Sequence, residues 1–555
     1  MEKKKKKLRI GILVDDTMIP NWSYRMIEKV KNEADSELVL ALRVNPKKKL
    51  IKQDFLKNWK YLFFKTYNLL DKKINKSTPN AFETKNLKDL LLVNSTFIDI
   101  NLEGDKIEKH VLNELKKIEL DILIKITNMP CKAELSEVSR FGIWSLQPLE
   151  TNGDERYLAG FKEVFEGIAE TEITLYATFE GCKKSILFYK TSFSSDLLSI
   201  SRNRNMFYWK ASSNISLKIE ELNKLGEIQF FEKIRELNDH PIFKSRNEWQ
   251  IPSNIKMLFD SPRLMLSKIK NKYDLTFNFY QWILLFRICK IGEISTDLSK
   301  YQKIIPPRDR FWADPHVLKR GDIYYIFFEE LIYRDNKGYI CLIEMDEHGN
   351  YSEPVKVLEK NYHLSYPFLI EENNELYMIP ESKQNNTIEL YRCTQFPLKW
   401  DLEKVLMKNI KAVDSSILFQ DNKYWLFCNI TNSEEAFAQD ELHLFYSDKL
   451  VSEEWIAHPK NPIVSDFKRS RPAGKIFRYK DKIYRPAQNG LKCYGYGIAI
   501  NQVIEMTESS YEEKLVDSIL PEWEKDIIGT HTINSVGNLT IIDALVRRKK
   551  KSQYF

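Results

Sequence analysis

A chain of 555 residues has room for two or three domains with full cores, and 43% hydrophobic with 12% aromatic content marks a folded protein. The net charge of +7 gathers in Lys3–Lys7 and Arg547–Lys551, and no basic stripe recurs between them, so nucleic acid is not an expected partner. The seven cysteines are scattered and never spaced as CxxC, which excludes a disulfide framework or a structural zinc site, leaves no metal assigned, and favours a reducing compartment. GILVDDTMIP places two acids where a secretion signal needs apolar residues, and runs such as WILLF (282–286) are too short to span a bilayer. A cytoplasmic protein is expected, its basic segments offering contact with the inner membrane face.

In chain order, LRIGILVD (8–15) reads as a buried strand, followed by a helix over Trp22–Asn32 and a strand at ELVLALRV (37–44). Residues 45–90 form a Lys-rich insertion with an aromatic helix around Phe55–Leu70. A strand at Phe97–Ile100, a helix over Ile107–Ile118 and strands at DILIKI (121–126) and FGIWSL (141–146) follow. Strands alternating with helices predict an open parallel α/β sheet. Neither GxGxxG nor GxxxxGK[ST] occurs at the first turn, so a nucleotide lacks its usual phosphate cradle.

The stretch from FGIWSLQPLE to ETEITLYA resembles the formyltransferase N-terminal fold. That family carries an Asn and a His-Pro after its Gly-hydrophobic strand, where this chain has Ser145 and Gln147-Pro148. No Asp counterpart follows near Gly181-Cys182. The resemblance implies a formyltransferase-like scaffold that lacks the proton shuttle, so formyl transfer and folate are not expected. Three segments result: an α/β domain over 1–195, a helical connector over 196–274, and a C-terminal domain over 275–555. Within the connector, Arg263–Tyr273 is basic and mildly amphipathic; it is expected to pack on the C-terminal domain, with a membrane surface as the alternative.

That last domain is built on a repeat of about fifty residues. FWADPHVLKRGDIYYIFFEE (311–330) returns as LSYPFLIEENNELYMIPES (364–382), AVDSSILFQDNKYWLFCNI (412–430), SRPAGKIFRYKDKIYRPAQN (470–489) and GTHTINSVGNLTIIDAL (529–545). Each unit is two apolar runs around a hairpin turn, with outgoing strands at 339–345, 387–393, 442–447 and 496–503. Four strands per unit and five units predict a five-bladed β-propeller, which QWILLFRI (281–288) closes beside the last blade. The unit-opening residues Asp314, Tyr366, Asp414, Arg471 and His531 should then converge at one mouth.

Around that mouth, Asp314 is the candidate base, with Asp414 and Glu381 as further carboxylates and His531 for proton transfer. Glu329 and Glu330 end one strand and only one can face the channel; Glu330 is carried as a candidate acid and the choice stays open. Trp312 and Tyr366 are candidate sugar contacts, Arg471 and Arg485 an anion clamp, and Gln488 a neutral hydrogen-bonding group.

WADPHV, YPF, IPES, VDSS, LHLFYSD, RPAG and YRPAQ resemble the propeller named for the N-terminal part of glucosamine inositolphosphorylceramide transferase. Bacterial proteins joining a formyltransferase-like domain to this propeller resemble members of surface-polysaccharide loci. The ADP motif also resembles five-bladed furanosidase and xylosidase propellers, although Tyr366 stands where their second acid would be. The resemblances imply glycosyl transfer in surface-glycan synthesis on a sugar or glycan substrate; the cofactor stays unassigned, a sugar nucleotide being one candidate donor and a lipid-linked acceptor at the membrane surface one candidate partner. Glycoside hydrolysis through Asp314, Asp414 and Glu381, or a non-catalytic glycan- or partner-binding scaffold, are the alternatives.

Overall fold

The computed structural model describes residues 7–45, 59–91, 96–101, 107, 109–126, 133–146, 159–182, 184–239, 252–288, 298–430 and 441–550. Expectations placed on 3–6, 55–58, 147–148 and 551 lie outside the described residues. The chain divides into two compact units, Met1–Lys268 and Ile269–Phe555.

The first unit holds a seven-stranded sheet of β1 (Leu8–Val14), β2 (Ser36–Asn45), β3 (Thr96–Asn101), β4 (Ile122–Lys125), β5 (Ile143–Ser145), β6 (Glu170–Thr178) and β7 (Ile186–Ser194). Their order is β3-β2-β1-β4-β5-β6-β7. The first five strands pair in parallel, whereas β6 runs antiparallel to both β5 and β7, so the sheet is mixed rather than all-parallel as expected. Residues 179–185 are too few for the crossover that a parallel β6–β7 pair would need.

Among the described residues six helices accompany the strands: α1 (Asn21–Asn32), α2 (Leu62–Ile74), α3 (Lys109–Lys116), α4 (Lys162–Glu166), α5 (Ile200–Asp239) and α6 (Asn254–Phe277), the last of which runs past the unit boundary at Lys268. Ile10, Ile12 and Val14 of β1 pack against Met26 and Val30 of α1 and Ile219 and Phe230 of α5; Leu13 faces the opposite core with Leu115. Burial on both faces is why these strands are continuous apolar runs. Gly226, at φ 74°, joins two helical pieces within α5. Among the described residues no helix is long and apolar enough to cross a membrane.

The second unit is the five-bladed propeller. Blade 1 runs Arg310–Arg320, Ile323–Ile332, Lys337–Met345, Val355–Leu358; blade 2 runs Ser365–Glu372, Glu375–Ser382, Thr387–Gln395, Lys399–Lys408. Blade 3 opens with Ala412–Gln420, Lys423–Ile430 and Glu441–Ser447, and blade 4 is Phe477–Tyr479, Lys482–Asn489, Gly497–Met506, Tyr511–Ile519. Blade 5 is assembled from both ends of the unit: Asn278–Ile288 pairs along its whole length with Leu539–Lys549, which carries Ile533–Val536 on its other edge. The ring is therefore closed by antiparallel hydrogen bonds, as the sequence predicts. An apolar cluster fills each seam between blades, for example Phe328, Trp312 and Ile541 between blades 5 and 1, and Phe368, Leu426 and Trp455 between blades 2 and 3.

Local chemistry sets the hairpins. Asn373-Asn374, Asp421-Asn422 and Lys480-Asp481 all have positive φ, the two-residue turn whose twist matches the flanking strands. A second feature recurs at the axis. In blades 1, 2 and 3 the first strand is bulged at 314–315, 366–367 and 414–415, and Asp314, Tyr366 and Asp414 there take φ of 53°, 44° and 51°. A bulge with a left-handed residue turns its side chain out of the pleat, here toward the axis.

Candidate functional site

Two rings of side chains meet at the axis. The opening residues Asp314, Tyr366, Asp414, Arg471 and His531 form one. The second strands of the blades supply the other: Glu329 lies in register with Ala313, Glu381 with Ser365 and Asn429 with Val413. Gln488 accompanies Arg471 through its N–H to the Arg471 carbonyl (2.7 Å), and Asp543 accompanies His531 and Thr532. The fifteen-residue spacing from Asp314 to Glu329, Tyr366 to Glu381 and Asp414 to Asn429 is the length of the hairpin between the rings.

One half of the cluster is built on Asp414, which is fully buried. Its Oδ2 accepts from Arg471 Nε and from Gln488 Nε2 (2.8 Å), and Arg471 Nη2 lies 3.7 Å from Glu381 Oε2. Burial, then the charge of Asp414, pushes the Glu381 carboxyl up to about 8, and Arg471 offsets only part of this. Glu381 Oε2, Asp414 Oδ1 and both amide atoms of Asn429 are buried without a hydrogen-bond partner.

The other half is built on His531. Its Nδ1 lies 2.5 Å from Asp543 Oδ2, its Nε2 lies 3.7 Å from Asp314 Oδ1, and its ring stacks on Trp282 at 4.1 Å. Burial disfavours its charge, but Asp543 and Asp314 prevail and hold it up to about 9. Asp314 accepts from Thr532 Oγ1 (2.8 Å), while its own N–H donates to Asp543 (3.1 Å). Burial pushes the Asp314 carboxyl up to about 7, against the pull of His531. Asp314, His531 and Asp543 offer donors within 4.8 Å of one another, close enough for a cation. Both ring nitrogens already face carboxylates, so the imidazolium itself supplies that positive charge.

The rim is aromatic and basic. Tyr494 is 46% exposed, lies 5.1 Å from the Arg471 guanidinium and meets His531 edge-on at 5.5 Å. Gly495, at φ 65°, leaves space that a Cβ would take from Trp282, at 2.7 Å. His363 sits at the same mouth, its Nε2 3.2 Å from Glu329 Oε1 and its Nδ1 accepting from Gly338 N–H (2.9 Å).

Asp314, Tyr366, Glu381, Asp414, Arg471, Gln488 and His531 thus come together, and three other candidates do not. Glu330 points into the seam between blades 5 and 1, where it accepts from Trp312 Nε1 (2.6 Å) and Tyr339; Glu329 is the channel-facing member of the pair. Trp312 is buried in that seam and offers no sugar floor. Arg485 forms a bidentate pair with Glu513 (2.7 and 2.8 Å) that reaches across the intervening strand Gly497–Met506 of blade 4, so its guanidinium is already engaged. Tyr366 has its hydroxyl saturated by Ser416 Oγ (2.8 Å) and by the carbonyl (3.2 Å) and N–H (2.7 Å) of Gly474, so it is a strut linking blades 2, 3 and 4. Sequence reasoning left the choice between Glu329 and Glu330 open and missed Asn429, Asp543, His363 and Tyr494. The fifteen-residue offset could have found Glu329 and Asn429, but nothing in the sequence announces Tyr494.

Residues 301–535 match a known family: glucosamine inositolphosphorylceramide transferase 1, N-terminal. The rice (Oryza sativa subsp. japonica) protein named glucosamine inositolphosphorylceramide transferase 1 is 33% identical over 218 residues, 39% of this chain and 29% of that protein. Its Arabidopsis thaliana namesake is 35% identical over 207 residues, 37% of this chain and 27% of that protein. The chain therefore spans less than a third of the relatives it matches. Both are plant proteins, where the sequence resemblance named bacterial ones, and the family match lies wholly within the propeller unit. Among solved structures, a family 117 glycoside hydrolase from Zobellia galactanivorans is 10% identical with a TM-score of 0.32, over 48% of this chain and 90% of that one. An alpha-L-arabinofuranosidase from Clostridium thermocellum is 17% identical with a TM-score of 0.31, over 41% and 80%.

Proposed function

We propose that the propeller mouth binds a sugar and performs acid–base chemistry on it, as a glycosyl transfer in the synthesis of cell-surface glycans. The observation that carries this reading is the gathering of Asp314, Glu381 and Asp414 with Arg471 and His531 in one buried cluster, where burial pushes the Asp314 and Glu381 carboxyls up toward neutral pH. Asp314, held near 7, suits a general base at neutral pH, and Glu381, raised to about 8, keeps a proton to donate. In such a step Asp314 takes the proton of the acceptor hydroxyl as its oxygen bonds to the anomeric carbon. The bond to the leaving oxygen breaks, and Arg471 and Glu381 receive its charge and supply a proton. Tyr494 would lie under a sugar face, and Asn429 would meet its hydroxyls. The relatives' name supports a sugar as the transferred group and a lipid-linked acceptor; a sugar nucleotide as donor is part of the proposal.

Paired carboxyls also fit hydrolysis, with water in place of the acceptor. Nucleoside diphosphate release from a panel of UDP- and GDP-sugars tests transfer, and release from aryl glycosides tests hydrolysis. Glycan binding that survives Asp314→Asn and Glu381→Gln without turnover of either class would leave a binding scaffold.

A further inference from the structure

Two neighbouring helices, α2 and the part of α6 up to Lys268, carry apolar residues on the arcs that face away from their packing. The α2 and α6 ends are tied together by Asn254, whose N–H donates to Lys60 O (2.9 Å) and whose Nδ2 donates to Trp59 O (2.7 Å). Further along, Lys268 Nζ meets Asp71 Oδ1 at 2.6 Å. Phe64 of α2 and Met257 and Leu264 of α6 face inward onto Phe161 and Phe165. On the opposite arc of α6, Ile255, Leu258, Phe259, Met265 and Leu266 recur at helical spacing and stand 59–80% exposed. The outward arc of α2 repeats the pattern with Phe63, Leu69, Leu70 and Ile74, and Trp59 precedes it at 70% exposure.

An exposed apolar patch of this extent marks a contact surface. Its charges identify the partner. Lys65, Lys72, Lys73 and Lys256 are exposed beside the apolar rows, whereas Asp71 is buried under Lys268. Protein interfaces exclude lysine from their cores, but helices that lie in a headgroup layer combine Trp, Phe and Leu with flanking lysines. We propose that the outward face of α2 and α6 seats in the headgroup layer of an anionic bilayer, parallel to its plane. This goes beyond the sugar chemistry and does not depend on it.

Co-sedimentation of the full chain with vesicles tests the proposal, comparing phosphatidylcholine alone with phosphatidylcholine containing about one quarter phosphatidylserine. The full chain should pellet with the anionic vesicles and far less with the neutral ones. The Leu69→Glu/Phe259→Glu variant, altered only at outward positions, should keep its melting temperature and bind roughly tenfold or more weakly. A full chain left in the supernatant, or a variant that binds as the parent does, would overturn it. So would a concentration-dependent dimer of the parent that the same variant dissolves, which would give the face to a second copy.

Discussion

At the scale of single residues, the chemistry rests on charges that are buried but unequally compensated. The folded-state values of His531, Asp314 and Glu381 are all raised, to about 9, 7 and 8. A raised value means the native state holds its proton more tightly, so the stability it contributes is present below the unfolded value and is lost as pH rises through the folded one. Between about pH 5 and 9 the second unit should therefore lose stability, as denaturant unfolding at stepped pH would record. Glu381→Gln should flatten that slope and be more stable than the parent at pH 9 by about 2 kcal/mol or more. His531→Gln should instead cost roughly 3–5 kcal/mol, because it leaves Asp314 and Asp543 buried without their counter-charge. Tyr366→Phe should cost about 1–3 kcal/mol by stranding the Gly474 N–H, with unchanged affinity for any ligand of the mouth, which separates a strut from a binding residue. The opening polar residues were legible in the sequence because they share a repeat position. Tyr366 was misjudged because position alone does not say whether a hydroxyl is already satisfied.

At the scale of elements, the blade hairpin is the unit that the sequence writes most plainly. Gly-Asp, Asn-Asn and Asp-Asn turns fix the two-residue loop, the loop fixes the register, and the register pairs Glu329, Glu381 and Asn429 with the residue just before each bulge. What the pattern does not reveal is the bulge itself. Two residues face one at 314–315, which turns Asp314 out of the first strand's pleat, while the second strand keeps its alternation and so shows Glu329 and Glu330 to opposite sides. Arg485 was misplaced for a related reason: its Arg-Pro-Ala setting copies that of Arg471, but it lies within the strand, where it meets Glu513. Arg485→Ala should cost roughly 3–5 kcal/mol by melting of the second unit, with turnover per folded molecule unchanged. In the first unit, apolar runs identified the strands of the sheet, but not the reversed direction of β6, since an apolar run carries no direction.

At the scale of the whole molecule, the propeller is closed by two strands from opposite ends of its sequence. Asn278–Ile288 and Leu539–Lys549 share eleven residue pairs, and the latter also carries Asp543 into the site. Ending the chain after Val536 would remove both, and circular dichroism melting of residues 269–536 should show no cooperative transition where 269–555 melts as one. Closure and the geometry of the axial cluster are thus one property of the fold, because a ring that opens also scatters the His531 half of the cluster. The measurement that tests the account most directly is the pH dependence of nucleoside diphosphate release from a UDP- or GDP-sugar by the full chain. A bell-shaped profile centred at neutral to mildly alkaline pH, its limbs belonging to the cluster as a whole, is expected, together with a loss of about a hundredfold or more in Glu381→Gln and Asp314→Asn. Turnover that stays within a few-fold of the parent in both variants, with an unchanged pH profile, would contradict it.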